Sequence, residues 1–335
     1  MMCFNPAHGW SAASLARLVT ALIAGLACSL PAGAQDFPSK PIRLVVPVAP
    51  GGPTDILGRL VGGEMARPLG QSVLVDNRAG GDGAIGTDFV AKSPPDGHTV
   101  CFCTTGAVVV LPILEPNLPY DAFKDLAPVG QVFRAVSVIL ARRDLPAATI
   151  AELITLARAQ PGKLSYGTAG KGSPQHIQGE TLKRLANLDV LHVPFKSAQQ
   201  ALNEVMGGRV DYQVGTVLIT DPVYKAGKVK VLAVTGPTRW SKWPEVPTVN
   251  ESGLPEFESS DTIVGLHVAA KTPASVIEKL HAALALSLRS PAVVERFTGA
   301  GVVAVGSRPE VYGSYLVKER ERFGQVVKQL GITRE

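Results

Sequence analysis

Two loops carry residues whose types and spacing suit the binding of an anion. The first is Pro47-Val48-Ala49-Pro50-Gly51-Gly52-Pro53-Thr54-Asp55, between the apolar run Ile42–Val46 and a helical pattern that ends at Leu69. A buried strand that breaks on prolines and glycines and then opens a helix gathers backbone N–H groups at the positive end of the helix. Gly51, Gly52 and the Thr54 hydroxyl would then cradle a carboxylate, although the same spacing suits a plain tight connection equally well. Asp55 has the position of a helix cap, or of a group that orients water or meets a cation on a ligand. The second loop is Gly167-Thr168-Ala169-Gly170-Lys171-Gly172-Ser173-Pro174, in which Ser173 is a good N-cap and Pro174 a favoured first helical residue. Its order Lys171-Gly172-Ser173 is not the Gly-Lys-Ser/Thr that sets a lysine on phosphate. G-x-G-x-x-G with a downstream acid is missing too, which argues against nucleotide sites. A third glycine-rich loop, 77–86, precedes a segment too short for a phosphate-binding helix.

Catalytic constellations are thin. His98, His176, His192 and His267 are scattered, and none stands in a metal-binding spacing. His176 lies closest to the second loop, where a packing histidine outweighs a ligand contact. Ser173 has no evident base and no Gly-x-Ser-x-Gly elbow exists, so the reading is a binding protein without enzyme activity, cofactor or metal. Cys101 and Cys103, two apart in an apolar run, share one face of a strand, and a bridge between them would strain it. They read as two small buried residues rather than a redox or metal pair.

These loops need strands before them and helices after them, and the chain supplies both in alternation, the pattern of an α/β fold with mainly parallel sheets. Strands are expected at 42–46, 73–75, 99–103, 136–141, 163–166, 190–193, 210–214, 229–235 and 263–269. Helices are expected at 55–69 with Thr54 or Asp55 as N-cap, and at 84–91, 149–160, 174–186, 197–206 and 273–288. Another starts at Pro291 and a last one covers 310–330. Residues 236–260 read as connection with one short helix around Val249. The formal net charge is +5. Without residues 1–34 only Arg17 is lost, leaving 32 basic against 28 acidic residues, too mild a balance for nucleic acid. Arg17, the apolar run 18–30 and Ala32-Gly33-Ala34 form a secretory signal with cleavage before Gln35. Gly25, where a lipid-anchoring motif wants a large aliphatic residue, argues against a lipid on Cys28.

A family resemblance covers essentially the whole mature chain. Ser39-Lys40-Pro41-Ile42-Arg43-Leu44-Val45-Val46-Pro47, then Pro50-Gly51-Gly52 and Asp55, resembles the opening of the Bug family, the extracytoplasmic solute receptors of tripartite tricarboxylate transporters. Asp76-Asn77-Arg78, Pro94-Pro95-Asp96-Gly97, Pro119-Tyr120-Asp121, Tyr166-Gly167 with His176 and Glu180, and Val193-Pro194-Phe195-Lys196 continue the match in order. So do Gly207-Gly208, Leu232-Ala233-Val234-Thr235 and Glu245-Val246-Pro247-Thr248.

The resemblance implies a two-domain type II periplasmic-binding-protein fold with the ligand in the interdomain cleft. Domain I would be 36–134 plus 259–335, and domain II 135–258. It implies a small carboxylate ligand and membrane permease subunits as partners, with a sensor kinase as the alternative partner. The ligand would be held by Gly51, Gly52, Thr54 and Asp55 on the first loop and by Thr168, Ala169, Gly170 and Ser173 on the second. Gly83, Ala84, Ile85, Thr104 and Thr105 would complete the wall, with His176 nearby. The sequence departs from the family pattern at Val48, where an aromatic is usual, and at Leu111-Pro112, where Asn-Pro is usual. Val214-Gly215, followed by Thr216, stands where an aromatic-Asp pair is usual after Val210-Asp211. These departures point to a roomier, less polar cleft and a ligand bulkier or more apolar than a simple amino acid.

Overall fold

A computed structural model of the protein describes residues 37–171, 173–195, 197–257 and 261–331. The signal segment, its cleavage point and Cys28 lie outside the described residues. Both sheets belong to the unit that begins at Lys40.

The first sheet has six strands in the order β11-β4-β10-β3-β1-β2. They are β1 (Ile42–Val46), β2 (Val73–Asn77), β3 (Thr99–Thr104), β4 (Leu126–Ala135), β10 (Ile263–Ala269) and β11 (Val302–Ala304). The second has five in the order β7-β6-β8-β5-β9: β5 (Ser137–Arg142), β6 (Ser165–Thr168), β7 (Leu191–Pro194), β8 (Tyr212–Thr216) and β9 (Val229–Val234). The helices flanking the first sheet are α1 (Pro53–Leu69), α2 (Ala84–Ala91), α3 (Leu111–Leu114), and, near the end of the chain, α8 (Ala274–Ser287), α9 (Pro291–Gly299) and α10 (Pro309–Leu330). Those of the second are α4 (Ile150–Ala159), α5 (Pro174–Ala186), α6 (Ala198–Met206) and α7 (Val217–Lys225). Among the described residues no helix is long and apolar enough to cross a membrane.

β1, β2 and β3 pair in parallel, as do β6, β7 and β8. The carboxyl ends of each set therefore share one edge, where open α/β sheets take ligands. The chain passes between sheets at Val136, whose N–H donates to Gly301 O at 3.0 Å and whose carbonyl accepts from Val217 N–H at 2.9 Å. Ala135 N–H donates to Thr262 O at 2.8 Å, and Arg134 pairs with Asp261 at 3.2 Å, so the two passing segments are laced together. Helix α5 ties the halves further. Its Ile177 is 1% exposed and packs with Val45, Val109, Tyr312 and Phe323 of the six-stranded half.

Several expectations are corrected. Helix α1 starts at Pro53 with Gly52 as N-cap, ahead of Thr54 and Asp55, because proline is preset for the first helical turn. Strand β4 is unexpected from its sequence, since Pro128 and Gly130 break the alternation. Register shifts at Val264/Gly265 and Leu266/His267 of β10 accommodate both. Strand β11 and helix α7 are likewise additions. The stretch around Val249 forms turns, held by a bridge from Thr248 to Val234, instead of a helix. Cys101 and Cys103 are fully buried as expected but joined by a disulfide. Their Cα atoms are 5.3 Å apart, inside bridging range, where an ideal strand would hold them about 6.6 Å apart.

Candidate functional site

The first loop is built around a buried carboxylate. Asp55, 2% exposed, accepts from Gly51 N–H at 2.8 Å, Arg59 Nε at 3.1 Å and Asn77 Nδ2 at 2.8 Å. Asn77, at the end of β2, also donates to Val48 O and accepts from Arg59 Nη2 at 2.7 Å. Burial pushes the Asp55 pKa up, but the hydrogen bonds from Arg59, Gly51 and Asn77 outweigh it and hold the carboxyl below its usual value. Asp55 thus shapes the loop, and the Gly51 N–H is committed to it. Gly51 has φ 83°, which a side chain would strain, whereas a Cβ on Gly52 would have Ala49 O as its nearest neighbour at 3.8 Å. Val48, Gly52 and Thr54 are half-buried.

The glycine-rich loop packs beneath this one. A Cβ on Gly83 would meet Ala107 Cβ at 3.1 Å, and one on Gly86 would meet Pro47 at 3.0 Å, so both glycines let the backbones approach. Ala84, half-buried, packs against the core of the six-stranded half. Ile85, 57% exposed, lines a groove with Arg43, Arg78 and Phe89 on the same half. Thr104 Oγ1 accepts from Ala107 N–H at 3.4 Å and helps open a π-helical turn, Gly106–Val110, that runs into α3. Thr105 is buried, and its hydroxyl lies 3.1 Å from Ile263 N and 3.3 Å from Ile263 O, joining β3 to β10.

The second loop is braced from inside. Thr168 is fully buried, with its hydroxyl 2.7 Å from His192 Nε2 and accepting from Gly170 N–H at 3.3 Å. Ser173 caps α5, accepting from His176 N–H at 3.2 Å and donating to Gly170 O at 2.8 Å. His176 is 7% exposed and stacks on His192 with centroids 4.0 Å apart. His192 in turn lies over Tyr166, whose hydroxyl donates to Glu180 at 2.6 Å. Gly215 is buried inside the second sheet, where a Cβ would meet Leu140 at 3.1 Å, and Thr216 is half-buried at the start of α7.

A cavity of about 480 Å³ lies between the halves. The five-stranded half contributes Ala169, Gly170, Lys171, Ser173 and Pro174. The six-stranded half contributes Asp82, Gly106, Val110, Leu111 and Leu114. The cavity thus gathers Ala169, Gly170 and Ser173 of the expected set. Val48, Gly51, Gly52, Thr54, Asp55, Gly83, Ala84, Ile85, Thr104, Thr105, Thr168, His176, Gly215 and Thr216 lie outside its lining. Sequence reasoning missed Gly106, Val110, Leu114, Lys171 and Pro174 as lining residues. The signal for this wall was the atypical Leu111. A larger groove of about 660 Å³ beside Arg134 and Asp261 is less suited to an anion, because Arg134 and Arg322 are each already paired with an acid.

Two histidines make the fold acid-sensitive. Burial, and then the neighbouring His176, lowers His192 from 6.5 to about 4, and complete burial lowers His267 to about 4. Between pH 6.5 and 4 the unfolded chain binds protons that the folded one refuses, so stability falls as the pH drops through that window and the loss is complete below it. Each group should contribute on the order of 3 kcal/mol. Urea unfolding midpoints should therefore decline from pH 6.5 to 4, less steeply in His192→Gln. Constant midpoints across that range would contradict the assignment.

The comparisons with known proteins agree with one another. The tripartite tricarboxylate transporter family receptor (TctC) profile matches residues 57–332. A UPF0065 protein from the tcbD–tcbE intergenic region of a Pseudomonas sp. is 38% identical over 292 residues, 87% of this chain and 86% of its own. BugT of Bordetella pertussis is 30% identical over 318 residues, 95% of this chain and 97% of its own. MatC from Rhodopseudomonas palustris, solved with bound malate, has a TM-score of 0.73 and 33% identity, covering 87% of this chain and 100% of that one. An R. palustris protein solved with adipate has a TM-score of 0.79 and 30% identity, covering 89% and 99%. The chain therefore belongs to the tripartite tricarboxylate transporter receptor (TctC, or Bug) family, with its type II periplasmic-binding-protein fold.

Proposed function

We propose that this chain is a periplasmic receptor that captures a small carboxylate by hinge closure and delivers it to a tripartite tricarboxylate-type permease. The observation that carries the reading is the cavity shared by Asp82, Gly106 and Leu111 on one side and Gly170 and Ser173 on the other. A ligand that touches both sides favours the closed state by its differential affinity for it. Malate and adipate in two related structures support a carboxylate as the ligand class.

Domain I comprises 36–134 plus 259–335 and domain II 135–258, and the laced segments at 134–136 and 261–262 act as the hinge. On closure the first loop, which lies outside the cavity lining, would reach the same carboxylate through Gly52 and Thr54, with Gly51 and Asp55 setting its shape. The Ser173 hydroxyl serves as a cap, and, as in a receptor of this family, the ligand is bound and released unchanged. The segment 1–34 directs export and is removed before Gln35.

Thermal-shift screening against organic acids, with mass spectrometry of co-purified ligand, tests the class. Gly52→Val then tests the first loop. There is room for the added side chain beside Ala49, so the unfolding midpoint should hold while affinity falls more than tenfold in calorimetric titration. Unchanged affinity would put the carboxylate elsewhere.

A further inference from the structure

The cavity is asymmetric in polarity, and this narrows the ligand within the receptor reading on which the inference rests. Val110 and Leu111 are 4% and 5% exposed, and Leu114 is half-buried. The turn Gly106–Val110 and helix α3 run on without a break, so positions 110, 111 and 114 fall on one side and form an apolar wall. Across from it stand Lys171 and the loop Ala169–Gly170. At the rim is Asp82, exposed on the glycine turn with φ 54°. Among the described lining residues, Lys171 is the one cation and Asp82 the one anion.

We propose that the ligand is a monocarboxylate with an apolar body, and that Val110, Leu111 and Leu114 select it over dicarboxylates. One carboxylate is met by Lys171 and the polar loops. A second, at the other end of the molecule, would have to lose its water against the leucines or stand beside Asp82. Burying an unpaired charge is costly, while an apolar terminus gains from the same contact. Specificity here is the difference between those two outcomes.

The experiment is calorimetric titration of the purified mature protein with matched acids. Hexanoate and adipate differ only in a terminal methyl or carboxylate, and 2-aminohexanoate adds an ammonium to hexanoate. Phenylacetate and 1,4-phenylenediacetate form the aromatic pair. In at least one pair the monoacid should bind tenfold or more tighter than its diacid, and hexanoate should exceed 2-aminohexanoate. Equal or tighter binding of adipate and phenylenediacetate overturns the inference but leaves the receptor reading intact. Preference for 2-aminohexanoate overturns it too, because Asp82 would then be reading an ammonium. Failure of every acid to bind removes the receptor reading itself.

Leu111→Asn should narrow the monoacid-to-diacid ratio to threefold or less. Since Leu111 is nearly buried, the half-buried Leu114→Gln provides a second variant, with a similar narrowing and an unfolding midpoint close to wild type. An unchanged ratio in a folded Leu114→Gln protein would remove the wall from the account.

Discussion

Replacing Asp55 with asparagine should cost about 3 kcal/mol of stability and at least tenfold in ligand affinity. The carboxylate is 2% exposed and accepts from three different segments: the Gly51 backbone, Arg59 one turn along α1, and Asn77 at the end of β2. An amide of the same shape turns one acceptor into a donor, and that donor then faces the Gly51 N–H or the Asn77 amide. Breaking a buried pair costs about 3–5 kcal/mol, and the lower end applies because the Arg59 side chain is 51% exposed and can turn to water. The binding effect follows from geometry, since Asp55 and Asn77 hold Gly51 and Val48 from beneath. Denaturant unfolding and calorimetry read the two effects separately. A variant within 0.5 kcal/mol of wild type would show that the network is not what holds the loop.

The second large effect is expected from Gly179→Ala in α5. An alanine normally favours a helix by about 1 kcal/mol over glycine. Here its Cβ would enter the Tyr166 ring, 2.7 Å from Cζ and closer still to Cε2. Tyr166 cannot swing aside: it is fully buried, stacked between Tyr212 and His192, and hydrogen-bonded to Glu180. Overpacking therefore wins, with a net loss of about 3 kcal/mol, and α5 is pushed off the second sheet. Because the loop 169–173 leads into α5, ligand binding should weaken in the same variant. Gly63→Ala in α1 is the control. A Cβ there has no neighbour within 4 Å, so it should stabilise by about 0.5–1 kcal/mol. Equal stability of the two variants would mean that the packing beneath the second loop is looser than the geometry indicates.

Much of this protein could be read from local chemistry alone. The alternation of apolar runs with Ser- and Pro-started helices placed β1, β10, α5 and α9 close to where they lie, because caps and turns are decided within a few residues. The order of motifs along the chain was enough to identify the family. Strand β4 escaped that reading because Pro128 and Gly130 disguise it. It becomes a strand only by pairing with β10, more than a hundred residues later.

The site divides in the same way. Ser173 as the cap of α5 was legible in the order Gly-Ser-Pro. That Asn77, at the end of β2, would hold Asp55, and that His176 of α5 would stack on His192 of β7, depended on side chains brought together from distant parts of the chain. Sequence by itself determined the fold class, the family and the two loops, since these follow from short-range preferences and the apolar pattern. Tertiary structure alone decided which face of the turn 106–114 meets the loop 169–174. That choice is made by packing between the two halves, and it is what sets Val110, Leu111 and Leu114 opposite Lys171.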